Sequence, residues 1–418
     1  MKKNGFTLVE ITVCVVLLVT IFLLVVPKVN TMINNKKKNA YNSLISTVKD
    51  AAQAYVYLNV NIVDDAIESQ GYYEVSIRTL QENELLENKL ENPLTGKNIP
   101  STSIVKIIKN NEEYIYKFSL DYQYLLEHII DLYSSEETRI SNGLKKDNTP
   151  DQNIRYYGSN PNNYVSFNNE LWRIIGVFGN NVKLVRSESL GDLSWDSSEE
   201  SINGGFGVNE WSQADLKNYL NTMYYGGTTV TCYGGTKNST KTCPTNRLDN
   251  TAKTLIDNHT WNTGAIEYNT RTDTVAFYKD ERGNQTGKIC NGGTFCSDTV
   301  ERTTTWTGYI GLPYPTDYAY ASGENICETN MVKQDSSDAY ICENNNWMFK
   351  SIWYWTLSPF ARSANSRYVW YVNGDGDVNN SNAASGGAVF PAIYLKSNVL
   401  IESGAGTSSN PYILKAGS

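Results

Sequence analysis

Residues Phe6 to Val26 form an almost unbroken apolar run of 21 residues, interrupted by a single carboxylate, Glu10. At about 1.5 Å per helical residue this run is long enough to span the hydrocarbon core of a bilayer. Two ordinary readings are a cleaved secretory signal and a plain membrane anchor. A secretory signal has a shorter apolar core with a small-residue cleavage site behind it, whereas Pro27-Lys28 follows here. A plain anchor has no use for Glu10, because a carboxylate in lipid costs about 2.5 kcal/mol or more unless it is paired.

The residues around Glu10 supply a third reading. Met1-Lys-Lys-Asn-Gly5, followed by Phe6-Thr-Leu-Val-Glu10, resembles the prepilin signal of type IV pilins and of type II secretion pseudopilins. The resemblance implies a prepilin peptidase that cuts between Gly5 and Phe6 and methylates the new N-terminus. It also implies that Glu10 pairs during assembly with the charged N-terminus of a neighbouring subunit, which neutralises two charges inside an apolar filament core. Pro27 falls where pilins commonly kink their helix. Lys28 and Lys36–Lys38 outnumber Lys2 and Lys3 on the other side of the run, against the positive-inside rule. The cleavage motif decides the orientation, since its peptidase works at the cytoplasmic face. The expected location is the cytoplasmic membrane for a single-pass precursor with its N-terminus inside, then the cell surface or pilus.

Beyond Pro27 the apolar positions Tyr41, Leu44, Ile45, Val48, Ala52 and Tyr55 recur at three- and four-residue steps, one face of a helix. A helix over 6–58 would be about 80 Å long. Residues 59–125 read as a small β domain. Within it Ser103–Ile108 and Tyr114–Leu120 have hairpin grammar, and the order is similar to the sheet of Gram-positive pilins and pseudopilins. Residues 126–150 begin apolar and end polar, which predicts a short helix and a linker before a head over 151–418.

The head's composition points outside the cell. Six cysteines fall into three close pairs, Cys232/Cys243, Cys290/Cys296 and Cys327/Cys342, while Cys14 lies alone in the apolar run. Short loops close cheaply, which favours these sequential disulfides with Cys14 free. No Cys-x-x-Cys occurs, and His128 and His259 are the only histidines, so zinc is the weaker reading. After residue 38 the chain has 30 basic and 43 acidic residues. So acidic a head is a poor partner for nucleic acid.

Several segments of the head carry a second resemblance. They are Arg155-Tyr-Tyr-Gly, Asn163 to Val177 with Trp172, Val182-Lys-Leu-Val-Arg186, Trp195, Trp211 to Leu216, Trp355-Thr-Leu-Ser-Pro359, Tyr368 to Val372 and Val389 to Leu395. Alternation predicts strands in the early segments, and Ser212–Leu220 predicts a helix capped by Ser212. The order resembles a domain widespread in surface proteins of gut Firmicutes, which is similar to C-type lectins and formylglycine-generating enzymes. That implies a compact α+β head with short strands, long loops and buried tryptophans. The expected fold is thus α+β throughout: a long pilin helix, a small antiparallel pilin sheet, and a large C-type-lectin-like head.

No catalytic constellation is visible, and no enzyme activity or cofactor is expected. Two histidines so placed build no Ser/His/Asp set, and the cysteine pairing of the formylglycine-generating enzymes is absent. Asn373-Gly-Asp375-Gly-Asp377-Val378-Asn379 resembles the start of a calcium loop. It lacks the glycine at the sixth position and the closing glutamate, so no metal is expected. The same stretch holds Ser363, Asn365, Ser366, Tyr368, Tyr371, Asn373, Asp375, Asp377, Asn379, Asn380 and Asn382. Tyr, Asn and Ser supply aromatic area and adaptable hydrogen bonds, as binding surfaces do. Its place near the end of a lectin-like head resembles the variable region of diversity-generating retroelement target proteins. The other reading is polar loops on a β scaffold. Alternation in Tyr368–Val372 predicts Trp370 in the core.

Together these readings predict a minor type IV pilin-like subunit that displays an adhesin or receptor-binding head. Its partners would be other pilin subunits and a surface glycan or protein. The alternative is a pseudopilin of a secretion or DNA-uptake machine with a structural head.

Overall fold

The computed structural model describes residues 36, 39–93, 98–110, 113–198, 205–267, 273–283, 303–332, 341–361 and 366–417. The chain is α+β and divides into two compact units, Met1–Gln123 and Tyr124–Ser418. Gly5, Phe6, Glu10, Cys14, Cys290, Cys296, Ser363 and Asn365 lie outside the described residues. Among the described residues no helix is long and apolar enough to cross a membrane.

In the first unit a helix over 39–58 buries the face read from its periodicity. Val48, Ala52, Tyr55 and Val56 pack with Val63, Val75, Leu80, Val105 and Ile107 in one core. A second helix, Val60–Gln70, ends where Gly71 takes φ 86°, and the Gly71 N–H donates to Ile67 O at 2.8 Å. A left-handed cap of this kind favours glycine. Strands Tyr73–Ser76, Ser103–Asn110 and Glu113–Tyr124 form an antiparallel sheet in that order. The expected hairpin is its second half. Asp64 of the second helix ties to this hairpin, accepting from Tyr114 Oη at 2.7 Å and Lys109 Nζ at 3.2 Å.

The second unit begins earlier than the sequence suggests. Residues 126–150 are not a linker. Helices Leu125–Ser134 and Glu136–Ser141 and strand Leu144–Lys146 are built into the unit, and Leu125, Ile129 and Leu144 lie in its main core. The polar end of the segment misled because its polar groups are used internally. Asp147 accepts from Thr149, Asn153 and Arg155 in the protein interior.

The main sheet of this unit runs Val399–Ser403, Tyr412–Ala416, Tyr164–Phe167, Glu170–Phe178, Asn181–Arg186, Ala392–Leu395 and Ile310–Gly311. Strand Ile154–Tyr156 pairs beside the far end of Glu170–Phe178. Gly176 permits that approach, since a Cβ there would stand 2.1 Å from Ile154 O. A second sheet runs Val378–Asn382, Tyr368–Val372, Tyr354–Ala361, Gly386–Ala388 and Asp192–Ser194. It separates two hydrophobic clusters, so Tyr354–Ala361 is buried along its whole length. Tryptophans pack the main core: Trp195 lies tilted against Trp211 at 5.1 Å between centroids, and Trp306 meets Trp211 edge-on at 6.0 Å.

The helix expected over Ser212–Leu220 has a different cap. Glu210 accepts from Ser212 N at 3.1 Å and starts a 3-10 turn, Trp211–Gln213. An α-turn Asp215–Asn218 and a π-helical stretch Tyr219–Tyr225 follow. Two of the three expected disulfides are present, Cys232–Cys243 and Cys327–Cys342.

Candidate functional site

The described part of the polar strip near the C-terminus is partly buried. Ser366 and Asp377 are buried, and Tyr368, Tyr371, Asn373, Asp375, Asn379, Asn380 and Asn382 are half-buried. The asparagines serve the turn. Asn373 Nδ2 donates to Asp377 Oδ1 at 2.9 Å, and Asn379 Nδ2 donates to Asp377 Oδ2 at 3.3 Å. Burial and the neighbouring Asp375 carboxyl push Asp377 up to about 6. Among the described residues no group of three or more His, Cys, Asp or Glu is arranged to hold a metal ion.

Strand alternation sorts the aromatics as expected. Tyr368 and Trp370 pack into one cluster, Val369 and Tyr371 into the other. Trp370 is fully buried against Phe277 and Phe360, at 5.0 and 4.9 Å. Tyr371 lies edge-on to Trp353 at 5.2 Å. Both faces of this strand are therefore occupied by protein.

A concave site lies elsewhere in the unit. A cleft of about 420 Å³ opens between residues 151–153, the turn at Phe178-Gly179, strand His259–Asn262 and helix Thr274–Gly283, with Tyr394 at its base. The Tyr278 hydroxyl donates to Asp151 and accepts from Asn153 Nδ2 at 3.2 Å. The Arg282 guanidinium lies over the Tyr278 ring, 3.3 Å from its centroid, and donates to Glu281 Oε2 at 3.2 Å. His259 stacks on Tyr394 at 3.7 Å, with its Nδ1 3.1 Å from Asp257 Oδ2. Burial lowers the His259 pKa despite Asp257, so the ring is held neutral. The Asn262 side-chain amide makes no hydrogen bond to another described residue.

Beneath this cleft lies a buried charge network. Arg155 joins Asp147 at 2.8 Å and Asp317 at 2.6 Å, and Lys183 Nζ lies 2.5 Å from the other Asp317 oxygen. All four side chains are essentially inaccessible. Burial opposes every one of these charges, yet Lys183 and Arg155 hold the Asp317 carboxyl below its usual range. Burial brings Lys183 down to about 8 and Glu281 up to about 7.

Sequence reasoning did not find the cleft. It set both histidines aside as candidates for catalysis. His128 is indeed committed internally, its Nε2 2.9 Å from the Tyr412 hydroxyl and its pKa lowered to about 4 by burial. His259, Tyr278, Arg282 and Tyr394 come from separate elements with no common motif, and the rarity of histidine was the only signal. The cleft balances Arg282 against Asp151 and Glu281 and adds a neutral His259 and a neutral amide. This arrangement suits an uncharged polar ligand with several hydroxyl or amide groups. Among the described residues it contains no nucleophile paired with a base. No protein-family model, curated protein or solved structure matches the chain.

Proposed function

We propose that the protein is a minor type IV pilin-like subunit that carries a ligand-binding, non-enzymatic head on the cell surface. The observation that carries this reading is the Met1–Glu10 signal, with its Gly5-Phe6 cleavage site and its carboxylate inside an apolar run. Two features support it. The helix over 39–58 lays an apolar face on a small antiparallel sheet, as a pilin unit requires. The second unit is larger, bears disulfides suited to an oxidising exterior and offers an open polar cleft. In this reading the long helix runs back from residue 58 to Phe6, and the head is lectin-like, with short strands and buried tryptophans.

Glu10 gives the test of assembly. Glu10→Val is processed normally but enters surface fibres poorly, because the neighbour's N-terminus loses its buried partner. Normal incorporation would contradict the pairing. Binding is tested with detergent-extracted full chain on glycan and protein arrays. Loss of a captured ligand with Asn262→Ala would place it in the cleft, and loss with Asn380→Ala would place it on the strip. If no ligand is captured and deletion abolishes secretion or DNA uptake instead, the head is structural and the pseudopilin reading stands.

A further inference from the structure

Lys183 and Asp317 meet in a setting that the function proposed above does not use. Lys183 lies on strand Asn181–Arg186 and Asp317 on helix Pro315–Ala321, 134 residues apart in sequence. Both side chains have no accessible surface. Around the amine stand the rings of Tyr314 at 4.1 Å and of Phe178, Trp261 and Tyr394 at 5.4–5.5 Å. With Nζ 2.5 Å from Oδ2, one hydrogen bond and one carbon–oxygen bond separate the amine from the carboxyl carbon. We propose that Lys183 and Asp317 condense spontaneously into an intramolecular amide bond that locks this strand to this helix.

The chemistry balances without any other reagent. Moving one proton along the Nζ–Oδ2 hydrogen bond turns ammonium and carboxylate into amine and carboxylic acid, with no change in net charge. That exchange runs against Arg155, which holds the Asp317 carboxyl low, but it removes two desolvated ions from a dry pocket. The Nζ lone pair attacks Cγ, the new N–C bond forms, and the C–O bond to Oδ2 breaks. Two protons, one from the nitrogen and one from the acid hydroxyl, leave with that oxygen as water. Arg155 Nη1, 2.6 Å from Oδ1, stabilises the negative charge that develops there during attack. Fixed neighbours of this kind have effective concentrations of about 10⁵ M or more, which offsets the weak reactivity of a free acid.

The surrounding charges suit both states. Before condensation Arg155 and Lys183 face Asp147 and Asp317. Afterwards the Arg155–Asp147 pair remains, at 2.8 Å, and is neutral by itself.

Mass spectrometry of the reduced, denatured full chain is decisive. The expected result is a mass short by one water, beyond what N-terminal processing explains. A tryptic digest should yield one branched peptide joining the segments around 183 and 317, with no cleavage after Lys183. Lys183→Arg keeps a cation for Asp317 but should recover the full mass. Separate peptides carrying free Lys183 and free Asp317 in the wild-type chain would overturn the proposal, leaving a buried ion pair. A bond from Lys183 to Asp147 or Glu281 would overturn Asp317 as the acceptor.

Discussion

Strand Tyr368–Val372 separates two cores, and replacing its adjacent aromatics one at a time tests that arrangement. Trp370 is fully buried, touches Phe277 and Phe360, and donates from Nε1 to Ile266 O at 3.4 Å. Trp370→Ala leaves a cavity that its neighbours cannot fill, at a cost of about 3–5 kcal/mol. Tyr371 is half-buried on the other face, against Trp353 and Trp355. Its loss forfeits an edge-to-face contact and part of a ring's burial, about 2 kcal/mol. A unit of this size shifts by about 2–4 °C per kcal/mol. Trp370→Ala should therefore lower the melting temperature by roughly 10 °C, and Tyr371→Ala by roughly half as much. Oxidised full-length chains are melted with near-ultraviolet circular dichroism, which reports the tryptophan packing. Equal small shifts for the two variants would refute the claim that the strand's Trp370 face is sealed and its Tyr371 face partly open.

Three further outcomes follow from the same geometry. Asp377 keeps its proton in the fold to about pH 6, against about 3.9 when unfolded, so the folded state binds the extra proton between these values. Stability should fall as pH rises across that window, by up to about 3 kcal/mol, and Asp377→Asn should flatten the slope in pH-dependent denaturant melts. Gly176→Ala forces a methyl against Ile154 O and should cost at least about 1–3 kcal/mol by urea denaturation; a neutral result would mean that Ile154–Tyr156 does not pass there. Non-reducing peptide mapping should find Cys232–Cys243 and Cys327–Cys342, and Cys327→Ser with Cys342→Ser should cost about 2–4 kcal/mol.

Local pattern was legible in the sequence wherever local physics sets the structure. The helix face at Val48, Ala52 and Tyr55, the hairpin over 103–124 and the burial of Trp370 all follow from periodicity. Cysteine spacing gave two disulfides because short loops leave few other partners. The charged interior was hidden. Nothing in the sequence marks Arg155, Lys183, Glu281 and Asp317 as buried, since charges are almost never fully buried unless paired. Their pairing arises from elements up to 162 residues apart. In the C-terminal strip Asn373 and Asn379 look free in sequence but donate to Asp377 across one turn. The cleft at Tyr278, Arg282 and His259 has no sequence signature, because it is assembled by the fold from five separate segments.

Intact-mass analysis of surface-extracted protein tests the pilin-like reading most directly. The account predicts a mature chain that begins at Phe6 and carries one methyl group on its N-terminus, whatever the state of Lys183 and Asp317. A mature chain that retains Met1–Gly5, or one cut beyond Val26, would contradict it.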